Sequence, residues 1–150
     1  MISLSNTIST AAYRIKYFKT DASLNQALVN AVKNYINDEM RNDIPDRYLK
    51  EFGIQSPAVH TGTIASGDQF ICDNEKNQWL YTHVDDLACV EMEGAAVAQV
   101  CYEFDVPCAV VRVISDSAND DSNVDFARFV EEAACHFTRG TMKAFLTAQK

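Results

Sequence analysis

The segment that most restricts the fold is residues 108–114 (CAVVRVI), a nearly continuous apolar run rich in β-branched side chains. Such a run is typical of a strand covered on both faces, as in a largely parallel sheet between layers of helices. Residues 59–71 and 87–92 predict two further strands. Because three strands are few for such a sheet, we expect an edge strand around residues 12–18, or pairing with a partner.

Helices are predicted between and around these strands, and the alternation indicates an α/β fold. Apolar side chains recur at helical spacing over residues 21–38, and a short helix is expected over residues 46–52. Residues 93–104 are apolar almost all round, which predicts a buried helix. Aromatic residues from 126 to 145 mark a long final helix. Gly140 lies inside it and should weaken or bend it, at about 1 kcal/mol relative to alanine.

Length, charge and cysteine usage restrict the class of protein. The 150 residues are the size of one ordinary domain, so we expect a single domain over residues 1–150. The net charge of −8 disfavours nucleic acid and membrane surfaces as partners, since an acidic chain repels phosphates and anionic lipid. The start of the chain lacks the basic and apolar regions of a signal peptide. Five irregularly spaced cysteines without a C-x-x-C pair predict buried, reduced thiols, a cytoplasmic location and no metal site.

Three polar clusters follow the predicted strands: residues 66–71 (SGDQFI), Glu91 with Glu93, and Arg112 with residues 115–116 (SD). Ligands of parallel α/β sheets bind outside the carboxyl ends of the strands, so we expect the three clusters to meet. A spacing of two puts both glutamates on one face of an extended segment. Arg112, inside an apolar strand, requires a carboxylate or a ligand. Simpler explanations stay open here, namely an acidic helix N-terminus and a turn aspartate.

Three sequence blocks carry a resemblance to a known family: residues 62–71 (GTIASGDQFI), 90–96 (VEMEGAA) and 111–116 (VRVISD). They closely resemble the bacterial 5′-methylthioadenosine/S-adenosylhomocysteine nucleosidases, within the nucleoside phosphorylase superfamily. The resemblance implies a three-layer α/β/α sandwich with a mixed, largely parallel sheet. It also implies hydrolysis of the adenine–ribosyl N-glycosidic bond, with release of adenine, in methionine salvage.

The resemblance begins at about Tyr17, and residues 1–13 match nothing in the family's front portion, which carries the glutamate that activates water. We therefore expect a version of the fold truncated on its N-terminal side, with slow or no turnover. A nucleoside phosphorylase and a non-catalytic remnant that binds adenine nucleosides or dimerises stay open as alternatives.

Roles for single residues also follow from the resemblance. Asp116 is similar to the acid that protonates adenine, Glu93 to the residue that binds the ribose hydroxyls, and Arg112 to the arginine that positions the attacking water. No cofactor is implied, and the expected partners are a small adenine nucleoside and a second copy in a homodimer. The residues implied to contact the substrate are Phe70, Ile71, Glu91, Met92, Glu93, Ser115, Ala118 and Phe126.

Overall fold

A computed structural model describes residues 2–9, 17–115 and 126–149 of the chain. The five described strands are β1 (Ile2–Ser9), β2 (Tyr17–Lys19), β3 (Val59–Ser66), β4 (Leu87–Glu91) and β5 (Val111–Val113). The α-helices are α1 (Ala22–Asn34), α2 (Met40–Asp43), α3 (Asp46–Glu51), α4 (Asn74–His83), α5 (Gly94–Glu103), α6 (Phe126–Phe129) and α7 (Cys135–Ala148). Two single turns of π-helix, Tyr35–Glu39 and Val130–Ala134, join α1 to α2 and α6 to α7.

The sheet is mixed, with strand order β2-β1-β3-β4 and β5 also paired with β1. Strands β1, β3 and β4 run parallel to one another, whereas β2 and β5 run antiparallel to β1. The strands predicted over 59–71 and 87–92 are therefore confirmed, the first of them shorter than expected. The expected edge strand is found as β2, and residues 12–16 of that prediction lie outside the described residues.

Two features of the sheet differ from the sequence-based expectation. Strand β1 was not predicted, although Ile2, Leu4 and Ile8 alternate with polar residues, because Asn6 interrupts the alternation where the register also shifts. Strand β5 was expected to run parallel to its neighbours, and it runs antiparallel to β1 instead. An apolar run predicts burial, but both strand directions satisfy the backbone hydrogen bonds, so the direction depends on which edge is open.

Helices cover both faces of the sheet, which confirms the three-layer α/β/α architecture. One core cluster contains Tyr35 and Phe137 from the α1 and α7 side, and Val111 and Val113 pack against it. A second cluster joins Phe18 to α5, and Val110 packs against that one. Successive side chains of an extended segment point to opposite faces, so the neighbouring residues 110 and 111 pack against the helices on opposite sides of the sheet.

Of the predicted helices, one is confirmed and one is less buried than expected. The helix predicted over 21–38 is confirmed, with Asp21 as the N-cap that accepts a 2.8 Å hydrogen bond from the Leu24 amide. The prediction that residues 93–104 form a buried helix is wrong, because only Gly94 and Ala98 of α5 are buried. One stripe of α5 meets the sheet, and several of its apolar side chains remain exposed.

All five cysteines lie in the described part of the chain and are free. The expectation that they are buried is wrong for Cys72 and Cys135, which are exposed, and the other three cysteines are only partly buried. Across the described residues, no helix combines the length and apolar character needed to cross a membrane.

Candidate active site

A cleft of about 790 Å³ lies beside β4 and is lined by residues from all three polar clusters. The carboxyl ends of β3 and β4 lie side by side here, with Ser66 paired to Glu91 in the sheet. The shared edge of these parallel strands therefore explains why the first two clusters meet. It does not account for Arg112, whose strand runs antiparallel to β1 and which reaches the cleft through its long side chain.

The cleft brings together most of the residues singled out from the sequence. Two others, Asp116 and Ala118, lie outside the described residues, although Asp116 follows a lining residue directly in the chain. The predicted residues that line the cleft are Phe70, Ile71, Glu91, Met92, Glu93, Arg112, Ser115 and Phe126.

Arg112 has the carboxylate partner that its position in an apolar strand requires. Its Nη2 donates to Glu91 Oε2 and lies 3.4 Å from Glu93 Oε2. The two glutamates differ in burial, since the side chain of Glu91 is 10% exposed and that of Glu93 is 71% exposed. Arg112 thus neutralises the enclosed carboxylate and leaves the second one at the open side of the cleft.

Glu91 also caps α5 from the strand that precedes it. Its carboxylate accepts from the backbone N–H of Glu93 at 3.1 Å and from that of Gly94 at 2.8 and 2.9 Å. A Cβ at position 94 would lie 2.9 Å from Glu91 Oε1, so a side chain there would displace the Glu91 carboxylate. Glu91 is therefore an acidic residue at a helix N-terminus, where the helix dipole favours a negative charge, and it also lines the cleft.

Ser66 takes part in the same hydrogen-bond network, although no role was assigned to it from the sequence. Its hydroxyl donates to Glu91 Oε1 and accepts from the Ala95 amide at 2.8 Å. Twenty-nine residues separate Ser66 from Ala95, so rules for local helix capping cannot find this bond. The available signal was only its position, since serine directly ends a strand beside the acidic cluster.

Aromatic side chains flank the cleft and remain accessible. Phe70 is 73% exposed, and Phe126 and Met92 are also exposed. Apolar side chains with a few convergent polar groups are typical of small-molecule sites, and exposed ring faces can stack on a flat ligand. Within residues 2–9, 17–115 and 126–149, no group of three or more His, Cys, Asp and Glu side chains is arranged to hold a metal ion.

Comparisons with known proteins agree on one family. A model of the phosphorylase superfamily matches residues 8–147. The 5′-methylthioadenosine/S-adenosylhomocysteine nucleosidase of Bacillus subtilis (strain 168) is 43% identical over 110 residues, 73% of this chain and 46% of the relative. The corresponding nucleosidase of Shewanella sediminis (strain HAW-EB3) is 49% identical over 75 residues, 50% of this chain and 33% of the relative. This chain therefore spans less than half the length of these curated relatives.

A solved structure extends the likeness to the fold. The structure of 5′-methylthioadenosine/S-adenosylhomocysteine nucleosidase from S. pneumoniae with a transition-state inhibitor, MT-ImmA, matches with a TM-score of 0.71 and 24% identity. The match covers 99% of this chain and 62% of that chain. At this identity, the match shows that the two proteins share a fold.

Proposed function

Because the chain belongs to the phosphorylase superfamily, we propose that it binds adenine nucleosides in the cleft beside β4 and hydrolyses their N-glycosidic bond. The proposed substrates are 5′-methylthioadenosine and S-adenosylhomocysteine, which would assign the protein to methionine salvage. One observation carries the proposal: a single cleft is lined by eight of the residues that the resemblance implies at the substrate. The named relatives, all nucleosidases for these two compounds, support the choice of substrate.

In this proposal, separate parts of the cleft bind the base and the sugar. Phe70 stacks on adenine, the backbone of Ile71 reads its Watson–Crick edge, and Phe126 closes the cleft. Glu93 accepts hydrogen bonds from the ribose hydroxyls, and Met92 contacts the ribose and the thioether. The exposed carboxylate of Glu93 supports this role, because a negative charge stabilises a sugar that becomes oxocarbenium-like in the transition state.

The proposed chemistry is acid-catalysed hydrolysis. Asp116, aided by Ser115, protonates the five-membered ring of adenine while the electrons of the C1′–N9 bond move to the base. Water positioned by Arg112 adds at C1′ and releases a proton to solvent, from which Asp116 is reprotonated, so the products are adenine and a ribose that keeps its 5-thioether group. Protonation matters because the adenine anion is a poor leaving group, and general acids contribute about 10²–10⁴-fold to such rates.

The charges of the cleft favour water over phosphate as the nucleophile. Among the described residues that line it, Arg112 is the single cation, and it contacts both glutamates. A phosphate dianion would meet two carboxylates there and no uncommitted positive charge. This arrangement supports a nucleosidase rather than a phosphorylase.

The proposal is tested by measuring free adenine after incubation of the chain with 5′-methylthioadenosine, with and without inorganic phosphate. We expect slow release that is independent of phosphate and that falls about 100-fold or more in Asp116→Asn. The matched control is Asp85→Asn, which changes an exposed aspartate outside the cleft and should leave the rate unchanged. Phosphate-dependent release would indicate a phosphorylase. Calorimetric binding of adenine without release would indicate a binding protein, and an equally fast Asp116→Asn variant would remove the acid from the mechanism.

We further propose that the chain forms a homodimer in the cytoplasm. Exposed apolar side chains on and just after α5, among them Val97, Val100 and Phe104, support an interface between copies. The five free cysteines support a reducing compartment. Analytical ultracentrifugation should find a species of twice the chain mass, and Val100→Glu should shift it to the monomer. A wild-type monomer at high concentration would exclude the dimer.

A further inference from the structure

We propose that Ser66 is a positioning residue for the sugar side of the cleft. Together with Glu91 it caps the first turn of α5, and this cap leaves the carboxylate of Glu93 available to the ligand. The inference rests on the proposed function, because it assigns Ser66 a role in binding the ribose. Ser66 itself does not line the cleft, so it acts through the helix that begins there.

Three backbone N–H groups at the start of α5 are bound by side chains from the end of the sheet. Those of Glu93, Gly94 and Ala95 all find side-chain acceptors, two on the carboxylate of Glu91 and one on the hydroxyl of Ser66. In most helices the N-cap residue itself supplies such an acceptor. Here the N-cap residue is Glu93, and its side chain makes no capping hydrogen bond. Glu91 and Ser66, at the end of the sheet, therefore supply the acceptors that an N-cap residue usually supplies.

The charge of Glu91 is held in place by its partners. Arg112 binds the Oε2 atom of Glu91, and Ser66 binds the Oε1 atom. The Glu91 carboxylate is thus held from two sides in addition to its bonds to the helix. Removing the hydroxyl of Ser66 leaves Oε1 and the Ala95 amide each without this partner. Glu93, the nearest exposed carboxylate, can then turn toward the helix end, where the dipole attracts it, and its charge leaves the sugar side of the cleft.

This mechanism predicts a difference between two ligands. Adenine has no ribose and contacts the aromatic part of the cleft, whereas 5′-methylthioadenosine also needs Glu93. In Ser66→Ala, calorimetric titration should give about tenfold weaker binding of 5′-methylthioadenosine, as expected when one hydrogen bond to a charged group is misaligned. Adenine binding should not change. Ser66→Thr, which keeps the hydroxyl, should restore the affinity for the nucleoside.

A control separates positioning from a general loss of stability. Asp21→Ala removes the N-cap of α1, which does not line the cleft, and should change the affinity for neither ligand. Hydrogen exchange of the Ala95 amide reports the cap directly and should accelerate in Ser66→Ala alone. Equal losses for both ligands, or no loss with accelerated exchange, would refute the positioning role while the proposed function stands. A wild-type chain that binds neither compound would refute the proposed function, and the assignment to the sugar with it.

Discussion

Replacing Gly140 with alanine tests how closely α7 packs against the helical segment that follows α1. A Cβ built at position 140 lies 2.6 Å from Cζ of Tyr35, and two other carbons of the ring are closer still. Tyr35 is 1% exposed, and its ring packs edge-on against Phe137 with centroids 5.9 Å apart. The ring therefore has no free space into which it can move, and the helices must separate.

The expected effect is the difference between two opposing contributions. Alanine favours an isolated helix by about 1 kcal/mol relative to glycine. Carbon atoms in contact prefer roughly 3.5–4.0 Å, so relieving the overlap requires a shift of about 1 Å or more. Overpacking of this kind costs about 1–3 kcal/mol, occasionally more, and an enclosed ring places it at the upper end. We expect the free energy of unfolding to fall by about 2 kcal/mol and Tm by roughly 4–8 °C.

Urea denaturation and thermal unfolding followed by circular dichroism measure this change. Thr138→Ala alters an exposed position of the same helix and should stay within about 0.5 kcal/mol of the wild type. The double variant Gly140→Ala with Tyr35→Leu removes the ring and should cost less than the sum of the two single changes. The packing argument is wrong if Gly140→Ala is as stable as the wild type or more stable, because helix propensity would then decide the outcome.

Four further predictions concern the cleft and the core. Phe70→Ala should weaken adenine binding about tenfold in calorimetry, whereas Phe104→Ala, at an equally exposed ring outside the cleft, should leave it unchanged. Arg112→Met should lower the free energy of unfolding by about 2 kcal/mol, because it leaves the enclosed Glu91 without its cation, and adding Glu91→Gln should recover part of the loss in urea denaturation. Burial raises the pKa of the Cys108 thiol from 9.0 to about 11, so at pH 9 iodoacetamide should label it far more slowly in the folded chain than in urea. The same raised pKa predicts that the free energy of unfolding falls as the pH rises from 9.0 to about 11, because the thiol of the unfolded chain loses its proton first. An unchanged free energy of unfolding over this pH range would contradict the prediction.

Much of the secondary structure could be predicted because its signals are local. Helix α1 follows from apolar spacing and from Asp21, whose carboxylate bonds an amide three residues along the chain. Strand β4 follows from a short apolar run, LACV, and strand β3 from its β-branched Val, Thr and Ile residues. Strand β1 was missed although Ile2, Leu4 and Ile8 alternate with polar residues, because Asn6 breaks this short alternation and pairing with β3 and β5 completes the strand.

Burial was harder to predict than helix or strand. Helix α5 is apolar almost all round, which predicts a buried helix, yet the sheet covers only one stripe of it. Apolar composition shows which side chains of a helix can be buried. Which of them are buried depends on the elements that pack against the helix. Gly140 shows the same limit. Its place in the sequence predicts a weak point in a helix, whereas the structure shows that the Tyr35 ring packs closely against it.

The amino-acid sequence alone determined the α/β class, the family resemblance and the residues implied at the substrate, because these depend on residue types and short spacings. Only the tertiary structure decided that Glu91 serves the helix while Glu93 stays open to the cleft, and that Ser66 completes the cap of α5. Those assignments depend on the register between β3 and β4 and on the reach of Arg112. A hydrogen bond between residues 29 apart forms only when the whole sheet is in place, so no local pattern can encode it.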